Sequence, residues 1–340
     1  MKKKILSVLK YLIFLSIGGV LLWLALRGKD INKSLTEILN ADYTWILLAV
    51  VAMIFSHIIR ALRWNQLLDT LDVKTTTGTT FCAVMIGYFV SNAVPRLGEI
   101  TRCGVLSRYH KVPVNSVIGT MIIERAFDTL TMVIILLITI LSQLHFLGDF
   151  INEKWLSPIT ARFSSNTSAM LIIGGACLGF CLLVFFIYRI SLPKLRKLKF
   201  FHKTLDIIKG FWEGVKTIKN IRHKSLFTFY TVFMWFLYTL TIYFCFKSIN
   251  ATSNLAFIDA LTIMSLGSIG TLVPTPGGIG AYQYFVTLSL IALYSIEKNT
   301  ASAFANLVYF SQWFLIIIIG GLSWGVMIIL QKRIIKNESN

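Results

Sequence analysis

The sequence predicts an all-α polytopic membrane protein with about six spanning helices and two re-entrant Pro/Gly-broken hairpins arranged as an inverted repeat. Three observations predict it. Hydrophobic residues make up 56% of the 340 positions and charged residues 14%, and the mean hydropathy is +0.72, far more apolar than a soluble globular composition. A spanning helix needs about 20 mainly apolar residues, and six runs qualify, at roughly 8–26, 43–62, 119–145, 169–190, 226–247 and 304–330. Two more apolar runs, 79–108 and 256–296, are cut by Val94-Pro95-Arg96-Leu97-Gly98-Glu99 and by Val273-Pro274-Thr275-Pro276-Gly277-Gly278-Ile279-Gly280. Each of their halves is too short to span.

Met1-Lys2-Lys3-Lys4 and the apolar run to Leu26 have the look of a signal peptide. The run is long, however, and no small-residue cleavage site follows it, so a retained first span is expected. Cytoplasmic loops are enriched in Lys and Arg. That rule puts the N-terminus, the Arg60/Arg63 end of the second span, the segment 192–224 and the tail with Lys332, Arg333 and Lys336 on the cytoplasmic side, and the loops 27–42 and 146–168 outside. Six spans with both termini inside satisfy these placements only if each broken segment returns to the side it entered from. The first hairpin then enters from the cytoplasm and the second from outside.

The repeat is visible in the letters. Ile86-Gly87-Tyr88-Phe89-Val90-Ser91-Asn92-Ala93-Val94-Pro95 echoes Leu266-Gly267-Ser268-Ile269-Gly270-Thr271-Leu272-Val273-Pro274 to within one residue. The halves are expected at about 43–147 and 226–330, within a single transmembrane domain over 1–340. Interrupted segments at corresponding places in two inverted halves point to a transporter site near the midplane. Irregular backbone survives at that depth only where protein buries it or water lines it. The plainer account is a pair of ordinary helix kinks at the prolines.

The 33 Lys and Arg against 15 Asp and Glu give a net charge of +18. Ten of those cations lie in 192–224 opposite an apolar stripe, the pattern of an amphipathic helix on an anionic leaflet. No nucleic-acid partner is expected. The five cysteines form no C-x-x-C, and the five histidines have no ligand spacing, so no metal and no cofactor is indicated. His57 reads as a packed histidine.

Charges inside apolar runs carry the chemistry. On a helix opening at Leu97, Arg96, Glu99 and Arg102 form one stripe, and the helix start directs backbone N–H groups toward the break. That arrangement suits a phosphate clamp made by Arg96 and Arg102 with Glu99 orienting them; the competing account makes Arg102 a positive-inside residue at the cytoplasmic edge. The third span contains Glu124, Arg125 and Asp128, each costing roughly 2.5 to 3.5 kcal/mol at a bilayer centre, so they should face the protein interior and be paired. Glu124 and Asp128 share a face and repel, which calls for a cation between them, Arg96 or Arg102 by choice. A structural ion-pair network and a direct substrate or proton role both fit. Arg60, Arg63 and Trp64 read first as an interfacial cation and aromatic belt, and second as a lipid-headgroup site.

Four spacings, R-x-x-R-W at Arg60 to Trp64, N-x-x-P-x-x-G-E-x-x-R at Asn92 to Arg102, E-R-x-x-D at Glu124 to Asp128 and P-x-P-G-G-x-G at Pro274 to Gly280, run in order along the chain. Together they make it similar to the lysylphosphatidylglycerol synthase transmembrane-region family, also called flippase-like. The resemblance implies site residues Arg60, Arg63, Asn92, Glu99, Arg102, Glu124, Arg125 and Asp128, and hairpin backbone at Pro95, Gly98, Pro274, Pro276, Gly277, Gly278 and Gly280. Where the family often has Glu after P-G-G-x-G-x-x, this chain has Gln283, which removes one possible proton site or cation partner.

The resemblance implies a flippase that moves an anionic phospholipid or polyprenyl-phosphate-linked lipid between leaflets of a bacterial or archaeal cell membrane. The chain ends at Asn340 without the soluble synthase domain of full-length members, so movement without synthesis is the expectation. It contains no P-loop, G-x-S-x-G, H-E-x-x-H or D-x-D motif. Two alternatives stay open. Older labels in the family, phosphatidylglycerol lysyltransferase and dolichol-phosphate-glucose synthetase, suggest an aminoacyl- or glycosyl-transferase, and the chain could instead be the membrane partner of a separate lipid-modifying enzyme.

Overall fold

The structure, a computed structural model, describes residues 30–95, 97–142, 221–273 and 275–339, together with Ser16, Gly19, Val20, Leu21, Trp23 and Leu24. The expected span at 169–190, the basic segment 192–224 up to residue 220, Arg96, Pro274 and most of the expected first span lie outside the described residues. The chain divides into two compact units, one formed by Met1–Leu136 with Thr217–Asn340 and the other by Leu137–Lys216. The first unit holds the features described below.

Among the described residues every regular element is helical, as expected. The loop expected at 27–42 instead contains a short helix, α1 (Ile31–Leu39), because Asp30 caps it by accepting from the N–H groups of Asn32 and Lys33 at 3.0 and 3.3 Å. Asp42 caps α2 (Tyr43–Leu68) in the same way through Thr44. There follow α3 (Thr77–Ala93), α4 (Leu97–His110), α5 (Val114–Ser142), α6 (Lys224–Ser248), α7 (Phe257–Leu272), α8 (Ala281–Tyr294) and α9 (Lys298–Ser339). Among the described residues three stretches, Tyr43–Leu71, Lys224–Ser248 and Lys298–Lys332, are long and apolar enough to cross a membrane by length and composition.

Burial sorts the faces of these helices. Leu47, Val51 and Phe55 on α2, Phe229, Val232 and Phe236 on α6, and Phe314, Ile318 and Leu322 on α9 each follow three- or four-residue spacing and stand exposed. Helix rows this apolar have no reason to face water and suit lipid. Their opposite faces pack inward: α2 lies along α6, α3 along α9, and α8 between α7 and α9. Buried apolar side chains gather in two clusters, one around Trp64, Leu67, Val84, Leu106 and Val117, the other around Ile263, Val286, Phe304 and Val308.

The two interrupted segments form helical hairpins. Val94 and Val273 both have extended backbone, as the residue before a proline must, and each ends its helix there. The four arms hold 17, 14, 16 and 14 residues, or about 26, 21, 24 and 21 Å at about 1.5 Å per residue. A hydrocarbon core is about 30 Å thick. In both hairpins the arms approach through a glycine of the first arm, Gly87 in one and Gly267 in the other. A Cβ on Gly87 would lie 2.9 Å from the Gly98 carbonyl oxygen, and one on Gly267 would lie 2.9 Å from the Tyr282 ring.

The hairpin tips touch. After Pro274 the chain turns through Pro276–Gly278, where Gly277, at φ 60, and Gly278, at φ 78, occupy the left-handed region that glycine adopts without strain. This turn packs on α3. A Cβ on Gly277 would come within 2.8 Å of Asn92 Oδ1, and the Tyr309 hydroxyl donates to the Gly277 carbonyl at 3.0 Å.

Gly98→Ala drives a methyl into the backbone carbonyl of Gly87, which cannot yield, whereas Gly267→Ala meets a tyrosine ring edge that can. Thermal unfolding in detergent should show Gly98→Ala destabilised by about 1–3 kcal/mol, and Gly267→Ala by clearly less.

Candidate functional site

The second turn from the end of α2 brings Arg60, Arg63 and Trp64 to the face that meets α4, α5 and α6. These residues are not an interfacial belt. Arg60 is 5% exposed, and Arg63 and Trp64 are fully buried. A guanidinium in such surroundings is tolerable only when paired, and the partners come from α5. Arg60 Nη1 lies 2.8 Å from Glu124 Oε1 and 3.2 Å from Asp128 Oδ2. Arg63 Nη2 lies 3.2 Å from Glu124 Oε1 and 2.6 Å from Asp128 Oδ1. The cations that separate the two carboxylates are therefore Arg60 and Arg63, where the sequence pointed to Arg96 or Arg102.

Arg102 does join the cluster, from α4. Its Nη2 stands 2.9 Å from Glu124 Oε2, and its guanidinium lies over the Trp64 ring at 4.4 Å. Trp64 is held in turn by a hydrogen bond from Nε1 to Thr120 Oγ1 at 3.0 Å. Arg102 is 3% exposed, so it is not a solvated cytoplasmic-edge residue. Its Nε and Nη1 have no hydrogen-bond partner among the described residues.

Glu99 does not orient Arg102. It pairs with Arg125, whose Nε lies 2.8 Å from Glu99 Oε1 and whose Nη1 lies 3.7 Å from Asp128 Oδ2. The Glu99 and Arg125 side chains are each 37% exposed, unlike the rest of the cluster. Four guanidiniums thus meet three carboxylates, Glu99, Glu124 and Asp128, and one positive charge has no match within the cluster.

Residues that sequence reasoning passed over complete the surroundings. Tyr238 and Thr231 of α6, seven apart and hence on one helix face, accept from Arg60 Nε at 3.3 Å and Arg63 Nη1 at 3.4 Å. Tyr88 lies beneath Arg60 and against His57, which is packed as expected. Gln312 and Tyr309 on α9 are polar positions in an apolar run, a signal the sequence did offer.

A cavity of about 360 Å³ opens between the two hairpin tips, walled by Ser91, Asn92, Pro95, Gly98, Glu99, Arg102 and Arg125 from the first half and by Thr275, Gly277, Gly278, Tyr309 and Gln312 from the second. Asn92 Nδ2 is buried there without a hydrogen-bond partner among the described residues. Gln283 lies away from this cavity. Its Oε1 accepts from the Gly280 N–H at 2.7 Å and so secures the start of α8, a packing role in place of a proton site. Among the described residues no group of His, Cys, Asp or Glu has the placement of a metal site.

Magnitudes separate the pairs. Removing one partner of a buried ion pair typically costs 3–5 kcal/mol, whereas an exposed pair is worth about 0–1. Glu124→Gln, which strips Arg60, Arg63 and Arg102 of their common anion, should therefore lower stability by about 3–5 kcal/mol, and Glu99→Gln by about 1 kcal/mol or less. Unfolding midpoints of the two variants in one detergent check the ordering.

The similarities of the chain agree with the motifs. The family model described as lysylphosphatidylglycerol synthase TM region matches residues 7–320. A UPF0104 membrane protein of Methanocaldococcus jannaschii is 25% identical over 99% of this chain and 97% of its own length. A second from that organism is 27% identical over 74% of this chain and 98% of its own length. One from Pyrococcus horikoshii is 23% identical over 97% of this chain and 99% of its own length. No solved structure matches the chain. With a family model covering nearly all of its length, the chain belongs to the lysylphosphatidylglycerol synthase TM region family of integral membrane proteins.

Proposed function

We propose that this protein is a lipid flippase that carries the headgroup of an anionic phospholipid, or of a polyprenyl-phosphate-linked lipid, through the cavity between the hairpin tips. The observation that carries the reading is Arg102, a deeply buried cation whose Nε and Nη1 lack acceptors among the described residues and which lines a cavity. Arg102 shares Glu124 with Arg60 and Arg63, so the cluster carries one more cation than anion, and a buried cationic excess costs free energy unless a further anion reaches it. A phosphodiester supplies that charge and accepts several N–H bonds at once. Asn92 Nδ2 on the same side, and the backbone around Gly277 and Gly278 on the other, add polar atoms.

In this reading the hairpins are re-entrant, since their arms fall short of the bilayer's thickness. The chain then has six spans with both termini in the cytoplasm of a bacterial or archaeal cell, the first hairpin entering from inside and the second from outside. The equivalent glycines Gly87 and Gly267, the extended residues Val94 and Val273 and the meeting of the tips support an inverted repeat. The acyl chains stay in the bilayer while the headgroup moves along the arginines, and the role is transport without a covalent step. An associated lipid-modifying enzyme would act before or after that movement.

Purified protein reconstituted in phosphatidylglycerol/phosphatidylcholine vesicles should move a fluorescent phosphatidylglycerol between leaflets, measured by dithionite quenching. Arg102→Gln should slow the movement by about tenfold or more, roughly the 1.4 kcal/mol that one charge-assisted contact supplies. Asn92→Ala, which leaves every ion pair intact, should slow it by a smaller factor. Wild-type protein that moves no lipid, or rates unaltered in both variants, would falsify this reading.

A further inference from the structure

Among the described residues, Arg102 differs from the other guanidiniums of the cluster in meeting a single carboxylate. Arg60 and Arg63 each meet Glu124 and Asp128, and Arg125 meets Glu99 and Asp128, whereas Arg102 meets Glu124 alone. Its second support is a ring. The guanidinium carbon lies 4.4 Å from the centre of the Trp64 ring, against 5.8 Å for Arg63 over Phe227 and 6.0 Å for Arg60 over Tyr88. The aliphatic stem is confined as well: a Cβ on Gly87 would lie 3.1 Å from Arg102 Cβ and 3.5 Å from its Cδ.

The two kinds of support act differently on the donors. A carboxylate holds a guanidinium by accepting from its N–H edge, so each carboxylate added takes donors out of use. An aromatic face attracts the same charge through its quadrupole, most strongly when the ring is an indole and water is excluded, and leaves the edge alone. Trp64 thus balances part of the charge on Arg102 while Nε and Nη1 stay without acceptors among the described residues.

The indole is itself aimed. Its Nε1 donates to Thr120 Oγ1 at 3.0 Å, and the Thr120 hydroxyl donates in turn to the Val117 carbonyl at 2.8 Å, so the indole meets an oxygen lone pair. Such a bond from a helical threonine to the carbonyl three residues back fixes its rotamer. Trp64 belongs to the buried cluster with Leu67, Val84, Leu106 and Val117, and neither Trp64 nor Thr120 lines the cavity. Filling that core requires only a large apolar side chain. The N–H partner and the close approach to Arg102 go beyond that requirement.

We propose that Trp64 is a positioning residue for Arg102: its indole face, aimed by Thr120, holds the cation and keeps two edge N–H groups available to the phosphodiester of an anionic lipid. The inference rests on the reading of Arg102 as a headgroup contact and adds how that contact is kept open.

Titration of dihexanoyl phosphatidylglycerol into the full chain in detergent tests it by affinity, and by whether each loss passes through Arg102. Trp64→Leu should weaken binding about tenfold, and Trp64→Phe, which keeps a ring face, by about threefold or less. Thr120→Val, which keeps the core volume and removes the acceptor that aims the indole, should weaken it about threefold. None of the three should lower the affinity of an Arg102→Gln chain further, whereas a merely structural role would lower it by the same factor in both backgrounds. Should Trp64→Leu not fold, Thr120→Val in the two backgrounds decides alone. Unchanged affinity in a folded Trp64→Leu or Thr120→Val chain, a Trp64→Phe loss as large as that of Trp64→Leu, or losses undiminished in the Arg102→Gln background would each overturn the inference. A wild type that does not bind the probe would overturn it together with the headgroup reading. Lipid movement in vesicles is followed on the same variants. Binding that depends on Trp64 in a chain that moves no lipid would overturn the carrier reading and keep the positioning role, and movement by a chain whose Trp64→Leu variant binds normally would do the reverse.

Discussion

Glu124 is the residue on which the first half of this protein depends. It is fully buried in an apolar unit and touches three guanidiniums, Arg60 and Arg63 from α2 and Arg102 from α4. None of these charges could enter that interior alone, because burying an ionised group without a partner costs more than packing returns. Their mutual neutralisation therefore fixes three helices in one relative position. It also explains why α2 alters along its length, from Ala49 and Ala52 at one end of its buried stripe to Arg60 and Arg63 at the other. The end that meets the other helices through small residues needs no partner, and the charged end requires one.

The cluster is rigid at its centre and loose at its edge. Glu124 has no exposure and Arg102 little, whereas Glu99 and Arg125 reach the cavity. Where the pairs are enclosed, geometry resists change; where water reaches them, partners exchange at small cost. This gradient lets one network hold the hairpin against α5 at its centre while its edge borders the cavity.

Much of this organisation was legible in the sequence. The apolar runs located α2, α5, α6 and α9, and the broken segments around Pro95 and Pro274 located both hairpins, because proline and glycine constrain backbone whatever the tertiary context. The requirement for cations between Glu124 and Asp128 also followed from spacing alone. Which cations filled it did not, since Arg60 and Arg63 sit at the end of an apolar run, where most Arg-Trp clusters mark a membrane interface. Only the depth of α2 in the packed unit separates the two cases, and depth is a tertiary property. The partner of Glu99 was hidden for the same reason: Arg102 is its helix neighbour, but Arg125 is its neighbour in space. The short helix α1 was missed because a nine-residue amphipathic turn has no length signal to set it apart from a loop.

The contact between the hairpin tips has a consequence for how the two halves depend on one another. Gly277 lies against Asn92 and its carbonyl is held by Tyr309, so the irregular backbone of the second tip is covered partly by the first half. Peptide groups in a broken helix at membrane depth have no water to turn to. Parted from Asn92, the turn at Gly277 would lose part of its cover. The contact is thus a mutual cover, in which the irregular turn of one hairpin is closed by the helix end of the other.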